Sequence, residues 1–368
     1  MLATFLRSLR ADAGSIHCSD SGYINVKGYA IIPQERRLRF YQKNYGTFMF
    51  ISTGQLPADA QVQALVDEAY AQFRERDEGE NAQHYPALAR VPRDLFGICV
   101  VGVNGKIYAV GDAEVEFTIM SVAKPFVLAL VCQALGPEVV REKIGVNATG
   151  LPFNSIMALE LHAQRLTNPM VNTGALAATS LIPGATAELK WQHIQEGLSA
   201  FAGRSLTVNE EVYASASASN HRNRGLAAFL WGYDRLYFDA PATLDLYTRQ
   251  SSLNVTTKDL AIMGATLADG GVNPVTGVRV MDAGVCRYVL AVMATAGMYE
   301  TSGEWLYATG LPGKSGVGGG ILTIAPGKGG LGTFAPPLDA AGNSVKGQLV
   351  AHFLSAQLGL NLFASQPL

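Results

Sequence analysis

The stretch Phe117-Thr118-Ile119-Met120-Ser121-Val122-Ala123-Lys124-Pro125-Phe126 sets a serine three residues ahead of a lysine, where a strand-like run gives way to a helical pattern. On a helix, residues i and i+3 share a face, so Lys124 is placed to reach the Ser121 hydroxyl. A serine hydroxyl is a poor nucleophile until a base takes its proton. A lysine accepts or relays that proton when its surroundings lower its pKa. A helix start adds N–H groups that face a developing oxyanion. An S-x-x-K pair also arises by chance on exposed helices, so its weight depends on the rest of the chain.

Upstream, Phe96–Val103 and Lys106–Val110 read as strands joined at Asn104-Gly105, a two-residue hairpin signal. Before them, Val62, Leu65, Val66, Ala69, Tyr70 and Phe73 recur at helical spacing within Pro57–Arg76. Downstream, residues 119 to 300 are mainly helical, and 310 to 338 are glycine-rich and β-like. There Gly320–Ile324 and Gly332–Phe334 flank Pro326-Gly327, and a last amphipathic helix covers Val345–Leu358. Residues 1–56 have a character of their own, with short strands expected at Tyr29–Pro33 and Thr47–Ile51. Strands at both ends with helices between them predict an α/β (α+β) fold. The expected plan is an antiparallel sheet flanked by helices, with an inserted all-helical subdomain. Its parts are a partly β N-terminal extension (1–56), a sheet-and-helix core (57–118 and 300–368) and a helical subdomain (119–299) that opens on the serine helix.

The 368 residues are 48% apolar and 16% charged, which describes a well-buried globular chain. A net charge of −2 gives no pull towards nucleic acid or an anionic membrane, and Arg36-Arg37-Leu38-Arg39 reads as a solvated edge. The four cysteines form no CxxC pair; Cys99 and Cys132 sit in apolar runs and read as buried thiols of a reducing compartment. The six histidines lack ligand spacing, so no metal site is expected. Charge at Arg7 interrupts the first apolar residues, and the longest apolar run, Phe126–Cys132, is far short of the ~20 residues of a membrane span. A soluble, cytoplasmic protein is expected.

Collinear segments from about residue 84 to 350 resemble the serine-dependent glutaminases, whose fold is related to that of β-lactamases and penicillin-binding proteins. They include Phe117–Lys124, Thr149–Ser155, Asn168–Ala175, Arg222-Asn223, Leu267–Pro274, Gly297-Met298-Tyr299, Gly310–Gly320 and Pro336–Val345. The resemblance implies that Ser121 attacks a side-chain amide with Lys124 beside it. It implies that Tyr299, helped by Tyr247, accepts or relays the serine proton. It puts the oxyanion hole at the N–H groups of Ser121 and Val317, and the substrate carboxylate at Asn172, Asn223 and Tyr247. Lys314 and Gly316 mark a strand that approaches the ligand closely. The implied substrate is a small-molecule amide, with no metal or organic cofactor, and the implied assembly is a homo-oligomer, a dimer or tetramer.

The chain departs from the family pattern where the glutamine amino group is held. A Ser-Glu context before the Arg-Asn pair becomes Ser215-Ala216, the glutamine before the nucleophile becomes Met120, and the tyrosine position falls on His84, with Tyr85 adjacent. An ammonium without its carboxylate loses a charge-assisted hydrogen bond. Two expectations follow. Either the substrate is a carboxylate-bearing amide without a charged α-nitrogen, such as an N-acyl-glutamine or α-ketoglutaramate, or Glu210 or Glu211 fills the role and glutamine remains.

Other readings compete. Ala308–Ser315 looks like a phosphate loop, but Gly316–Gly320 and a β-branched run follow where a helix would have to begin. A penicillin-recognising hydrolase shares S-x-x-K and a Lys-Ser-Gly strand (Lys314–Gly316). A binding module that has lost turnover would not be expected to keep Ser121, Lys124, Tyr247 and Tyr299.

Overall fold

The computed structural model describes residues 54–365, together with the backbone of one short hairpin nearer the N-terminus. In that hairpin β1 (Ile24–Val26) pairs antiparallel with β2 (Tyr29–Ile31), within the strand expected at 29–33. The strand expected at Thr47–Ile51, Cys18 and the Arg36–Arg39 run lie outside the described residues. Two compact units divide between Met49 and Phe50, a few residues before the boundary that the sequence suggested.

In the larger unit, α1 (Asp59–Phe73) buries Val62, Val66 and Ala69, as the helical spacing predicts. Strands β3 (Gly97–Gly102) and β4 (Ile107–Gly111) form the expected hairpin, with Val101 opposite Ile107 across Asn104-Gly105. A short pair, β5 (Phe117–Thr118) and β6 (Asn254–Val255), stands apart from the main sheet. Strands β7 (Gly313–Ser315), β8 (Gly320–Ala325) and β9 (Gly329–Phe334) complete a five-stranded antiparallel sheet in the order β4-β3-β9-β8-β7. The run after Lys314-Ser315 is therefore a turn followed by strand β8, and the phosphate-loop reading has no helix to support it.

Helices of ten residues or more follow in chain order: α2 (Lys124–Leu135), α3 (Asn172–Leu181), α4 (Ala187–Ala202), α5 (Glu210–Ser219) and α6 (His221–Gly232). After them come α7 (Ala240–Ser251), α8 (Thr257–Ala268), α9 (Ala283–Ala296) and α10 (Val345–Gln357). Strand alternation sorts the sheet residues by face. Ile98, Val100, Ile321 and Leu331 pack with Val62 and Val66 of α1 and Val350 and Leu354 of α10. On the other face, Cys99 and Val101 meet Ala261, Ile262 and Ala265 of α8.

Helix α8 lies inside the stretch assigned by sequence to the helical subdomain, yet it covers the sheet. From Leu260 to Ala268 every residue is buried, so no side of that stretch is left for solvent. Strand β9 admits it because a Cβ at Gly330 or Gly332 would stand 2.4 or 2.3 Å from an α8 carbonyl oxygen. Its N-terminus carries a capping box of Thr256 and Asp259, and Arg204 holds the same Asp259 carboxylate in a bidentate pair.

Candidate active site

The S-x-x-K stretch is held from both sides. Phe117 pairs with Val255 in the β5–β6 ladder and stacks on Phe334 at 4.0 Å between ring centroids. Ile119 N–H donates to the Leu253 carbonyl, and a single 3₁₀ turn, Met120–Ala123, presents Ser121 before α2 begins at Lys124. The serine thus sits in the turn that opens the helix, with Lys124 in the first helical turn. Met120 has φ 47°, a left-handed conformation that surrounding packing must hold when the residue is not glycine. Tyr299, across the site, has φ 56°.

Residues Gly316–Gly318 bring backbone against this turn. A Cβ on Gly316 would lie 3.0 Å from the Ile119 carbonyl oxygen and 3.4 Å from Ser121 N, and one on Gly318 would lie 2.8 Å from the Thr118 carbonyl. Only glycines allow that approach, and Val317 between them joins Ser121 in lining one cavity.

That cavity measures about 120 Å³ and gathers most of the residues singled out in the sequence. Ser121, Met120, Val317, Asn172, Asn223 and Tyr247 line it, and so do His84, Tyr85 and Ala216. Tyr299 and Lys124 are not in the lining. They stand behind it: Tyr299 is buried against Phe153, and its hydroxyl donates to the Ser315 carbonyl (3.2 Å). Ser121 and Ser315 beside that phenol offset part of the effect of its burial. Burial pushes the Tyr299 and Tyr247 phenols above their ordinary range, so both stay neutral.

Lys124 is 2% exposed, and burial brings its pKa down to about 7. Its Nζ donates to Asn172 Oδ1 (2.7 Å) and the Met170 carbonyl (3.3 Å). Two such bonds use both N–H groups of a neutral amine and leave its lone pair to accept a proton. Lys314 is also buried, donates to the Gly297 and Ser315 carbonyls, and lies 4.5 Å from the Tyr299 ring centroid. Burial first, and the charge of Lys124 second, hold it well below the usual lysine value.

Asn172, the first residue of α3, ties these groups together. Its Oδ1 accepts from Lys124 and from the Tyr247 hydroxyl (3.1 Å), and its Nδ2 donates to Asn223 Oδ1 (2.9 Å). The Tyr247 hydrogen is spent inside this network. One N–H of Asn172 and both of Asn223 are left over for a ligand carboxylate, and Arg222, exposed and donating its Nε–H to the Asn154 carbonyl, is also in the lining.

Sequence reasoning missed Ser219, Asn220, Thr248, Ser251 and Ser252, which complete the lining. They sit near the C-terminal ends of α5 and α7, and no motif marks them; only the packing of these helices brings them in. Glu210 and Glu211 face outward, and Glu211 forms an ion pair with Arg90. Among the described residues no three His, Cys, Asp or Glu side chains are grouped to hold a metal ion. Cys99, Cys132 and Cys286 are buried free thiols, and among the described residues no single helix is long and apolar enough to cross a membrane.

A glutaminase family profile matches residues 79–363. Glutaminase 2 of Yersinia pestis is 61% identical over 324 residues, covering 88% of this chain and 95% of that one. The glutaminase of Colwellia psychrerythraea is 47% identical over 307 residues, covering 83% and 99%. A solved structure of a probable glutaminase, ybaS, superposes with a TM-score of 0.83 at 45% identity, covering 84% of this chain and all of that one. The glutamate form of Mglu superposes with a TM-score of 0.77 at 38% identity, covering 86% and 71%. An S-x-x-K serine on a β-lactamase-like sheet, matched along nearly its whole described length by these proteins, places this chain in the glutaminase family, amide hydrolases that convert glutamine to glutamate.

Proposed function

We propose that Ser121 carries out this hydrolysis through an acyl-enzyme, with Lys124 as the base. The observation that carries the reading is a buried lysine, its pKa brought down to about 7, one helical turn from a serine in the lining of the cavity. A neutral amine at working pH suits general-base catalysis. The phenols, pushed upward, suit relay rather than proton storage.

In the first half-reaction Ser121 Oγ bonds to the side-chain amide carbon, and its proton passes to Lys124, directly or through Tyr299. The carbonyl oxygen becomes an oxyanion, held by the N–H groups of Ser121 and Val317; losing one such donor typically costs 100- to 1000-fold. The carbon–nitrogen bond then breaks, and the leaving nitrogen takes the proton and departs as ammonia. In the second half-reaction water attacks the ester, its proton goes to the same base, and Ser121 recovers its hydrogen as glutamate leaves. Asn172 and Asn223, with Tyr247 fixing Asn172, receive the α-carboxylate. The glutamate form known for Mglu fits product binding at such a site.

The sheet core (57–118, 300–368) and the helical part (119–299) form the two walls of the cavity in this reading, with α8 bridging them. Assembly as a dimer or tetramer is proposed with it, and the exposed Trp231, Tyr307 and Phe363 side chains supply apolar area for contacts. A cytoplasmic setting is supported by the three free thiols. Ser121→Ala is expected to lower ammonia release from glutamine by about 10⁴-fold or more with an unchanged melting temperature. Undiminished release would remove Ser121 from the reaction.

A further inference from the structure

We propose that the cavity prefers γ-amides whose α-nitrogen carries no charge over free glutamine; the inference rests on the glutaminase reading and concerns only the group beside the α-carbon. Glutamine near neutral pH carries a carboxylate and an ammonium on one carbon. The carboxylate has partners here: the spare amide hydrogens of Asn172 and Asn223, and the guanidinium of Arg222. The ammonium has three N–H donors and a full charge, and a desolvated charge needs an opposite one beside it.

No aspartate or glutamate is among the described residues that line the cavity. Glu210 is exposed at the start of α5, and three further acids of the surrounding elements are otherwise engaged. Glu211 pairs with Arg90 on the outer side of α5. Asp245, in the neighbouring cavity that shares Asn220 and Thr248, is tied to Tyr213 and Arg249. Asp339 accepts three backbone N–H groups of its own loop and the amide of Gln348. The fixed charge that remains in the lining is Arg222, which repels an ammonium.

At the middle of α5, Ala216 is 3% exposed and presents only a methyl group to the cavity. An acylated, oxidised or absent α-nitrogen asks of this wall one hydrogen bond at most, which Ser219, Ser251 or His84 can supply. The substrate class that matches the charges is therefore a γ-amide with a single negative charge.

Ammonia release from L-glutamine, N-acetyl-L-glutamine and 4-carbamoylbutanoate tests this in the wild-type enzyme and two variants. The two uncharged-nitrogen amides are expected to exceed glutamine in kcat/KM by about tenfold or more. Ala216→Glu is expected to invert the order, raising glutamine and lowering the other two by about tenfold each. Ala216→Gln, equal in size and uncharged, should not raise glutamine. Wild-type turnover of glutamine equal to or above the others would overturn the inference, as would Glu and Gln variants that behave alike. Silence on all three amides would sink the serine chemistry itself and this preference with it.

Discussion

The wall of the cavity that carries Ser121 and the wall formed by α5 and residues 84–85 are built differently. Around Ser121, two lysines are buried without a carboxylate, Met120 and Tyr299 hold left-handed backbone, and Gly316 and Gly318 lie at contact distance from the catalytic turn. Every one of those features costs stability and persists only because the neighbours fix it. The α5 wall is tied to the segment after Tyr85 by a long bond from Ala87 N to Ser215 Oγ (3.4 Å) and by the exposed Arg90–Glu211 pair, and presents small side chains. The difference teaches that the chemistry is over-determined by packing, whereas recognition of the α-carbon rests on single side chains that can be exchanged without moving the serine.

The largest effect that would break this contrast is at Lys124. Lys124→Met is expected to reduce kcat by about 10²- to 10⁴-fold. In the wild type, kcat should rise with pH through about 7 and then level off, because only the neutral amine accepts the serine proton. The same residue predicts a stability change of opposite sign. Between its folded value of about 7 and the ordinary lysine value of 10.5, the unfolded chain holds one more proton than the folded one. Stability of the wild type therefore increases with pH across that window. The melting temperature of Lys124→Met should exceed that of the wild type most at pH 7 and below, and the gap should close towards pH 10.5. A variant that melts lower at every pH would show that the lysine stabilises the fold rather than burdens it.

A smaller effect sharpens the contrast at the glycine contact. Gly316→Ala places a methyl 3.0 Å from the Ile119 carbonyl and 3.1 Å from Val122 Cγ2, so the turn or the strand must shift by a few tenths of an ångström. We expect kcat to fall about 10- to 100-fold, since small misplacements of reacting groups are expensive. Unchanged kcat would mean that the two backbones need not touch. The smallest effect lies on the outer side of the other wall. Glu211→Ala removes an exposed ion pair with Arg90, and such pairs contribute about 0–1 kcal/mol. Both kcat/KM for glutamine and the melting temperature should stay within error. A selective rise of KM for glutamine would identify Glu211 as the missing ammonium partner.

Much of the fold was legible because periodicity reports burial. The period of Val62, Val66 and Ala69 located α1, and Asn104-Gly105 located the β3–β4 hairpin. The β-branched run after Gly320 separated a strand from a phosphate loop. The two-residue ladder of β5 and β6 was not legible, since two residues have no period and their partner lies more than a hundred positions away. Helix α8 was legible as a helix but not as a cover for the sheet, because a stretch buried on every side, Leu260 to Ala268, carries no stripe to say what it faces.

The sequence by itself singled out the proposed reacting pair, Ser121 and Lys124, because their spacing along a helix start is a local property of the chain. It also named the residues of the α5 wall that depart from the family pattern, since composition at a position needs no coordinates to be read. The tertiary structure decided the protonation states and the spare donors. Whether Lys124 is neutral, whether Tyr299 relays, and whether Glu210 and Glu211 reach the cavity all depend on solvent exclusion and on groups distant in sequence. Desolvation and hydrogen-bond supply are properties of an enclosed space, and an enclosed space exists only once the chain has folded around it.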